Sequence, residues 1–330
     1  MTAALPLLLV RELQDATPAD AWVVLSRHTL GVCDAAGAGL PADAALRVRD
    51  EALRALDAWL AGAGWDLWSA FGGAMPRTAD RMVEWWNALP AGSGAAVLLL
   101  DGLSLRELPL LRQGAAAHGF AVVSAEATAA ELPGDTNAFA QALGVAARNA
   151  LADNRRPAGF CLTGARTEVA GLPWPDCAAL VKAEPRWVFW HEWPDSRFHN
   201  SGTLQALAKS AAATFMDPEF WAFLKRLATG RRLLVTSDHG YAHIGSFQDT
   251  DGEVKAWLRQ VFGGGRTAPD GETGLWSPPL VLALEGRQGR VRLPVGRRKW
   301  PVPGGNPSLA HGGLTLLEVL SPFVELRPQD

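Results

Sequence analysis

Aspartate and histidine side chains follow three apolar segments of this sequence, each at the point where the segment ends. Asp101 follows AAVLLL, Asp238 and His239 follow LLVTS, and Asp195 and His199 follow WVFWHEWP. Both residue types are zinc ligands, and the four-residue spacing of Asp195 and His199 can direct both side chains at one ion. Asp238 and His239 offer a second set of ligands. Two cations held ~4 Å apart can stabilise the attacking and leaving oxygens of a phosphoryl group.

A threonine lies where a helix is expected to begin. Gly134-Asp135-Thr136-Asn137 is an ordinary N-cap pattern for the segment that follows. Thr136 would therefore lie beside backbone N–H groups and the positive end of a helix dipole. Phosphates bind at such positions, and a metal-bound alkoxide is stabilised there. Thr136 is thus a candidate nucleophile.

Each of these residues also has a purely structural interpretation. A lone aspartate after a strand is more often a turn or helix-cap residue than a ligand. His239 precedes Gly240 and fits a loop, and His311 precedes Gly312-Gly313 and fits a turn. Taken together, these residues favour a metal-binding catalytic site, because enough oxygen and nitrogen ligands for two cations recur after successive predicted strands.

These side chains can act together only if the strands that precede them share one sheet. Short apolar runs predict buried strands, and amphipathic segments between most of them predict helices. This alternation predicts an α/β fold with a mostly parallel central sheet sandwiched by helices, and with its site beyond the carboxyl ends of the strands. The predicted strands are 95–100, 121–124, 160–163, 187–190, 233–236 and 279–284, and the predicted helices include 105–118, 136–149 and 218–228.

The first 90 residues have a different pattern. Segments 42–61 and 77–89 have helical spacing of apolar residues, and Ala91-Gly92-Ser93-Gly94 interrupts it. We therefore expect a helical N-terminal portion at 1–92 and a site-bearing domain at 93–330.

Composition excludes several classes of protein. The 330 residues are 48% hydrophobic and 20% charged, which is typical of a globular protein and not of a disordered or fibrous one. No apolar run reaches the ~18–20 residues of a membrane helix, and the short 4–10 run does not resemble a signal peptide. Three scattered cysteines predict a reducing, cytoplasmic location. The 31 basic and 34 acidic residues give a net charge of −3, which argues against broad adhesion to duplex DNA.

The order and context of these residues resemble the alkaline phosphatase superfamily, and within it the PglZ branch of bacterial phage-defence (BREX-type) and signalling proteins. The resemblance spans about residues 95–326 and includes the Thr236–Gly240 run TSDHG. Three stretches carry the narrower likeness. They are the nucleophile segment LPGDTNAFAQALG at 132–144, RWVFWHEWPD at 186–195, and the C-terminal GRRKWPVPGGNPSLAHGGLTLLEVLSPFVEL at 296–326, with Glu318 and Pro322 in place.

The resemblance implies a metal-dependent hydrolase of phosphate esters, most simply a phosphodiesterase or nuclease-like enzyme acting on nucleotide substrates in phage defence. It implies two divalent ions, zinc first, with Mn²⁺ or Mg²⁺ as alternatives, and partners among other phage-defence proteins but no membrane. Thr136 would be the nucleophile. One ion would be held by Asp195, His199 and His311, and the other by Asp101, Asp238 and His239.

The chain departs from the family pattern in its first motif. The family commonly has Asp-x-Leu-Arg, whereas here Asp101-Gly102-Leu103 is followed by Ser104 and the arginine is Arg106. Arg106 is the candidate phosphate contact, His243 is a second candidate substrate contact, and Ser104 is a rival nucleophile. The altered motif and the tryptophan-rich N-terminal helices keep an alternative open: a catalytically weak alkaline-phosphatase fold that binds partner proteins of a defence complex.

Overall fold

Helices make up most of the N-terminal portion, as its periodicity predicts. The computed structural model describes residues 5–90, 92–155, 157–198, 202–271, 276–302 and 307–329. No helix in these ranges is long and apolar enough to cross a bilayer. The helices are α1 Leu7–Gln14, α2 Pro18–Ala35, α3 Ala42–Ala52, α4 Arg54–Gly62, α5 Trp65–Ala74, α6 Thr78–Asn87, α7 Leu108–Ala117, α8 Thr136–Ala142, α9 Trp174–Leu180, α10 Leu204–Met216, α11 Pro218–Ala228, α12 Gly252–Phe262 and α13 Leu316–Val319.

A six-stranded sheet forms the centre of the fold, in the order β2-β11-β5-β1-β4-β3. Strand β11 runs antiparallel to both of its neighbours, and the other strands are parallel to one another. The predicted mostly parallel α/β sheet is therefore confirmed. The strands are β1 Gly94–Leu100, β2 Phe120–Ala129, β3 Arg166–Ala170, β4 Arg186–His191, β5 Arg231–Thr236, β6 Ala242–His243, β7 Ala268–Pro269, β8 Val281–Gly286, β9 Gly289–Pro294, β10 Leu309–Ala310 and β11 Leu320–Pro328.

The central strand β1 is apolar on both faces because helices cover both faces of the sheet. Successive side chains of a strand point to opposite faces, so β1 divides into two sets. One set packs against α2, α5, α7 and α11, and the other packs against α6 and α8. The first set is Ala96, Leu98 and Leu100, and the second set is Ala95, Val97 and Leu99.

The N-terminal helices belong to the same apolar core as the sheet. Trp22 of α2 lies with its ring centroid 4.9 Å from that of Trp68 and 4.7 Å from that of Phe71, both in α5. These rings share one buried cluster with the first face of β1. The change of pattern near residue 92 therefore marks a change of secondary structure within a continuous core.

Several segments differ from their predicted structure. The predicted strand 160–163 is a turn. Its apolar residue Leu162 is buried in the cluster on the second face of the sheet, so the hydrophobic pattern reflects packing and not a strand. The short, charged strand β3 takes the sheet edge instead. The predicted strand 279–284 corresponds to β8, which pairs antiparallel with β9 in a separate three-stranded sheet. The helix predicted over 136–149 ends at Ala142.

A buried ionic network joins helices α3 and α4 to the rest of the chain. Asp50 Oδ1 lies 2.6 Å from Arg106 Nη2, and Asp50 Oδ2 lies 3.0 Å from Arg297 Nη1. Arg297 also contacts Asp57 at 2.8 Å. Burial alone would raise the pKa of Asp50, but the two guanidinium groups outweigh it and lower that pKa. The interaction of Asp50 with its two arginines therefore stabilises the fold at neutral pH. This stabilisation is lost as the pH falls through the lowered pKa of Asp50.

We expect Asp50→Ala to lower the free energy of unfolding by ~3–5 kcal/mol, because it leaves Arg106 buried without its carboxylate. Urea denaturation at pH 7 measures this change. Glu12→Ala is the control, because Glu12 pairs with Arg27 on an exposed surface and should change stability little. Equal unfolding midpoints for the two variants would contradict the prediction.

Candidate metal centre

The predicted ligands meet at one edge of the central sheet because the strands before them are neighbours. Strand β1 lies between β5 and β4, and all three are parallel, so their carboxyl ends share this edge. Asp101 follows β1, Asp238 and His239 follow β5, and Asp195 begins a 3-10 turn after β4. The Asp195 backbone N–H donates to the Asp101 carbonyl at 2.8 Å, which holds two of these loops together.

Four of the predicted residues form a compact cluster. Thr136 Oγ1 lies 3.2 Å from Asp101 Oδ1 and 3.0 Å from Asp238 Oδ2. His239 Nε2 lies 3.7 Å from Asp101 Oδ1 and 3.5 Å from Asp238 Oδ2. Asp101, Asp238 and His239 are fully buried, whereas Thr136, the first residue of α8, is partly exposed. Thr136 is therefore the most exposed residue of this cluster.

The two histidines of the site are held in the same tautomer. His239 Nδ1 lies 2.9 Å from the Gly240 carbonyl, and His311 Nδ1 lies 3.0 Å from the Gly134 carbonyl. A carbonyl oxygen only accepts hydrogen bonds, so each Nδ1 carries a proton and donates. In the neutral imidazole the lone pair is then on Nε2. Metal-binding histidines are oriented in this way, with the second nitrogen donating to a carbonyl or a carboxylate.

A second group of potential ligands adjoins the first. His311 Nε2 lies 3.8 Å from Asp195 Oδ1, and the His239 and His311 rings stack with centroids 4.2 Å apart. Ligand atoms of Asp195, His239 and His311 all lie within 4.8 Å of one another. His239 therefore lies between the two groups. The remaining predicted ligand, His199, lies outside the described residues.

The electrostatics of the cluster favour positive charge. Burial, reinforced by the neighbouring Asp238 carboxylate, raises the pKa of Asp101 well above its ordinary value. Burial alone would lower the pKa of His239, but the carboxylates of Asp238, Asp101 and Asp195 outweigh it and raise that pKa to about 9. A protonated imidazole or a bound cation can each offset the carboxylates.

The donor set fits a divalent cation. Zinc bound tetrahedrally at ~2.1 Å has neighbouring ligand atoms about 3.4 Å apart. The distances from Thr136 Oγ1 and from His239 Nε2 to the Asp101 and Asp238 carboxylates range from 3.0 to 3.7 Å. Among the described residues, the buried His239 Nε2 atom has no hydrogen-bond partner. A shared cation would satisfy this nitrogen, and imidazole with carboxylate suits zinc, with manganese or magnesium as harder alternatives.

One charged residue of the site is not foreseen by the sequence. Arg148, in the 3-10 segment that follows α8, forms an ion pair with Asp101 Oδ2 and lies 3.3 Å from Glu192 Oε1. Its side chain is 23% exposed, so it contacts the buried cluster from the solvent side. A tight turn at Gly144 precedes it in the chain, and a Cβ atom there would lie 2.0 Å from the Gly159 carbonyl. No local motif marks Arg148.

The structure speaks against Arg106 as a phosphate contact. Arg106 is only 1% exposed, and its guanidinium is bound to Asp50 and to the Tyr241 carbonyl. The physical reason is the capping turn that begins at Ser104, whose hydroxyl accepts the Arg106 backbone N–H at 3.3 Å. This turn directs Arg106 towards α3. The same capping role occupies the Ser104 hydroxyl.

The second predicted substrate contact, His243, belongs to neither ligand group. It is half-buried, and burial lowers the pKa of its imidazole. Its charged neighbours include Asp50, Arg106 and Arg297, which form the ionic network described above. A substrate contact from His243 stays a prediction.

Comparisons with known proteins find similarity in overall structure only. No protein-family model and no curated protein sequence matches this chain. Two solved structures of murine ectonucleotide pyrophosphatase/phosphodiesterase 5 are similar, each with 14% sequence identity over 71% of this chain. The first covers 88% of the murine chain with a TM-score of 0.47. The second, an inactive variant in complex with AMP, covers 87% with a TM-score of 0.48. Any inference of function must therefore come from the site itself.

We expect the purified protein to bind two equivalents of zinc, and the His311→Ala variant to retain one. This substitution removes a nitrogen from the second group and leaves the Asp101, Asp238 and His239 group intact. Metal content after dialysis, measured by plasma mass spectrometry, distinguishes the two stoichiometries. His243→Ala is the matched control and should retain both equivalents. Identical metal content in the two histidine variants would contradict the assignment.

Proposed function

We propose that this chain is a two-metal hydrolase of phosphate esters in which Thr136 is the nucleophile. The observation that carries the proposal is the Thr136 hydroxyl itself, which contacts two buried carboxylates beside the His239 imidazole. A threonine that only began a helix would not require two buried carboxylates at its hydroxyl. Burial of like charges at this position is costly unless a cation is held there.

The proposed reaction proceeds in two displacements at phosphorus. When bound, the ions would lower the pKa of the adjacent hydroxyl and offset the charge that develops on the phosphoryl oxygens. Thr136 Oγ1, having lost its proton to solvent, forms a bond to phosphorus while the bond to the leaving oxygen breaks. The leaving alkoxide takes a proton from water. A water molecule then attacks the phosphothreonine ester, and Thr136 regains its proton as the phosphate product leaves.

Arg148 supplies the guanidinium group that the altered first motif lacks at its usual place. Its side chain lies on the solvent side of Asp101, where a phosphoryl group that approaches Thr136 would meet it. A guanidinium can donate two parallel hydrogen bonds to phosphate oxygens. Glu192, 3.3 Å from Arg148 Nη2, holds the group in place.

We further propose that the chain belongs to the PglZ branch and cleaves phosphodiesters or nucleotides in the cytoplasm as part of a phage-defence system. The support is the ordered set of motifs, together with the convergence of Asp101, Thr136, Asp195, Asp238, His239 and His311 at one sheet edge. Comparing a phosphodiester with the matching monoester as substrates tests the substrate class. A strong preference for the monoester would argue against this assignment.

The alternative of a catalytically weak scaffold receives less support from the structure. It rests in part on the tryptophan-rich N-terminal helices. Trp22, Trp68, Trp85 and Trp86 are buried and belong to the apolar core. These four side chains are therefore not available as a surface that binds partners, whereas Trp65 of α5 is 39% exposed.

We expect Thr136→Ala to abolish hydrolysis of bis-p-nitrophenyl phosphate, with a loss of at least ~10³-fold in kcat, because the nucleophile is removed. Zinc content should change little, since Asp101, Asp238 and His239 remain. Rates in zinc or manganese buffers and metal content of the same samples are the measurements. A wild-type protein without turnover would favour the scaffold, and an active Thr136→Ala variant would exclude Thr136 as nucleophile.

We expect Arg148→Ala to lower kcat by ~10²-fold, because it removes a donor to the phosphoryl oxygens. Arg155→Ala is the matched control on the same segment, since Arg155 is exposed and pairs only with Asp153 at 3.8 Å among the described residues. Steady-state kinetics of both variants compare the two arginines. Equal rates would show that Arg148 only compensates the charge of Asp101.

A further inference from the structure

The C-terminal segment contains a buried carboxylate that belongs to neither ligand group. Glu318 of α13 is 0% exposed. Glu318 Oε1 accepts the Gly313 backbone N–H at 2.9 Å, and Oε2 accepts the Thr315 hydroxyl at 2.8 Å. Arg266 Nη2 donates to both oxygens, at 2.9 and 3.1 Å. All of these partners lie on loops, so the carboxylate fixes loops to α13.

The main chain of Glu318 also contacts the loop that carries His239. The Glu318 carbonyl accepts the Gly240 backbone N–H at 3.0 Å. Gly240 follows His239 and accepts the hydrogen bond from its Nδ1, whereas Gly313 lies two residues after His311. One residue therefore anchors both loops that carry the histidines.

Both loops pack closely against α13 and its ion pair. A Cβ atom on Gly313 would lie 2.2 Å from Arg266 Nη2, and one on Gly240 would lie 2.1 Å from the Leu317 carbonyl. Only glycine allows the backbone to come this close. Gly313 thus allows close approach to the Arg266–Glu318 ion pair.

We propose that Glu318 is a positioning residue that directs the Nε2 atoms of His311 and His239 towards the aspartates and thereby sets metal affinity. The inference rests on the metal centre of the proposed function and adds a residue that, in the described part of the chain, belongs to neither ligand group. The energetics support a positioning role. A buried ion pair contributes little net stability compared with apolar side chains of similar volume, whereas the contacts to Gly313 and Thr315 are lost if the carboxylate is replaced.

The test replaces both members of the ion pair with methionine, so that neither charge is left buried alone. We expect Glu318→Met with Arg266→Met to keep the thermal midpoint within a few degrees of wild type. Zinc affinity, measured by competition with a chromophoric chelator, should fall by ~10–100-fold, the range seen when outer contacts of a metal site are lost. The matched control is Glu325→Met with Arg232→Met, because that pair joins β11 to β5 at 2.5–2.6 Å and contacts neither histidine loop.

A second readout reports on the histidine itself. In the metal-free wild type, ¹⁵N chemical shifts should show a proton held on Nδ1 of His311, and in the double variant they should show exchange between tautomers. If the double variant does not fold, Glu318→Gln provides the same test, because one amide oxygen cannot accept from Gly313, Thr315 and Arg266 together. Its zinc affinity should then fall about tenfold.

The outcomes separate this inference from the proposed function. Unchanged zinc affinity and unchanged His311 shifts in the Glu318 variants would overturn the positioning role while the metal centre remains. An equal loss of affinity in the Glu325 and Arg232 control would also overturn it, because the effect would then be general to the fold. A wild-type protein that binds no zinc would instead refute the proposed function.

Discussion

Three aspartate side chains converge at the carboxyl edge of the sheet, and the rest of the structure has to accommodate their mutual repulsion. Asp101 and Asp238 are fully buried and share contacts with Thr136 and His239. Carboxylates in a low-dielectric interior are stable only beside positive charge or strong donors. Arg148 and, in our proposal, two divalent ions held with the two histidines supply that charge. The catalytic hypothesis is therefore also an explanation of how this edge of the protein remains folded.

Buried ion pairs elsewhere hold the loops that bear these groups. Asp50 and Arg106 connect α3 to the Tyr241 carbonyl, just beyond the Asp238–His239 segment. Glu318 and Arg266 hold the loops on the other side. The N-terminal helices thus contribute to the site through a shared core and a shared ionic network, although they carry none of the proposed ligands. Rigid support of this kind gives a metal site its precision.

The net charge of −3 is a poor guide to the partners of this protein. Three of the acidic residues behind that number lie within the proposed metal centre, where two dications would add four positive charges. Arg297, Arg298 and Lys299 are three consecutive basic residues, yet Arg297 is bound to Asp50 and Asp57, and Lys299 is bound to Asp249. Local charge at the sheet edge, and not the sum over the chain, decides whether a phosphate ester is attracted.

The α/β class and four candidate ligands, Asp101, Asp195, Asp238 and His239, can be predicted from local patterns. Apolar strands followed by Asp or His are recognisable along the chain, and parallel neighbours bring their carboxyl ends together. The sequence alone could not place β3 or exclude the turn at 160–163, since short apolar runs occur in buried turns as well as in strands. Three contacts become visible only in the folded chain: Arg106 turns into the core, Arg148 reaches Asp101, and Glu318 joins two histidine loops. These contacts connect residues far apart in the chain, and such pairing depends on packing, which no local pattern records.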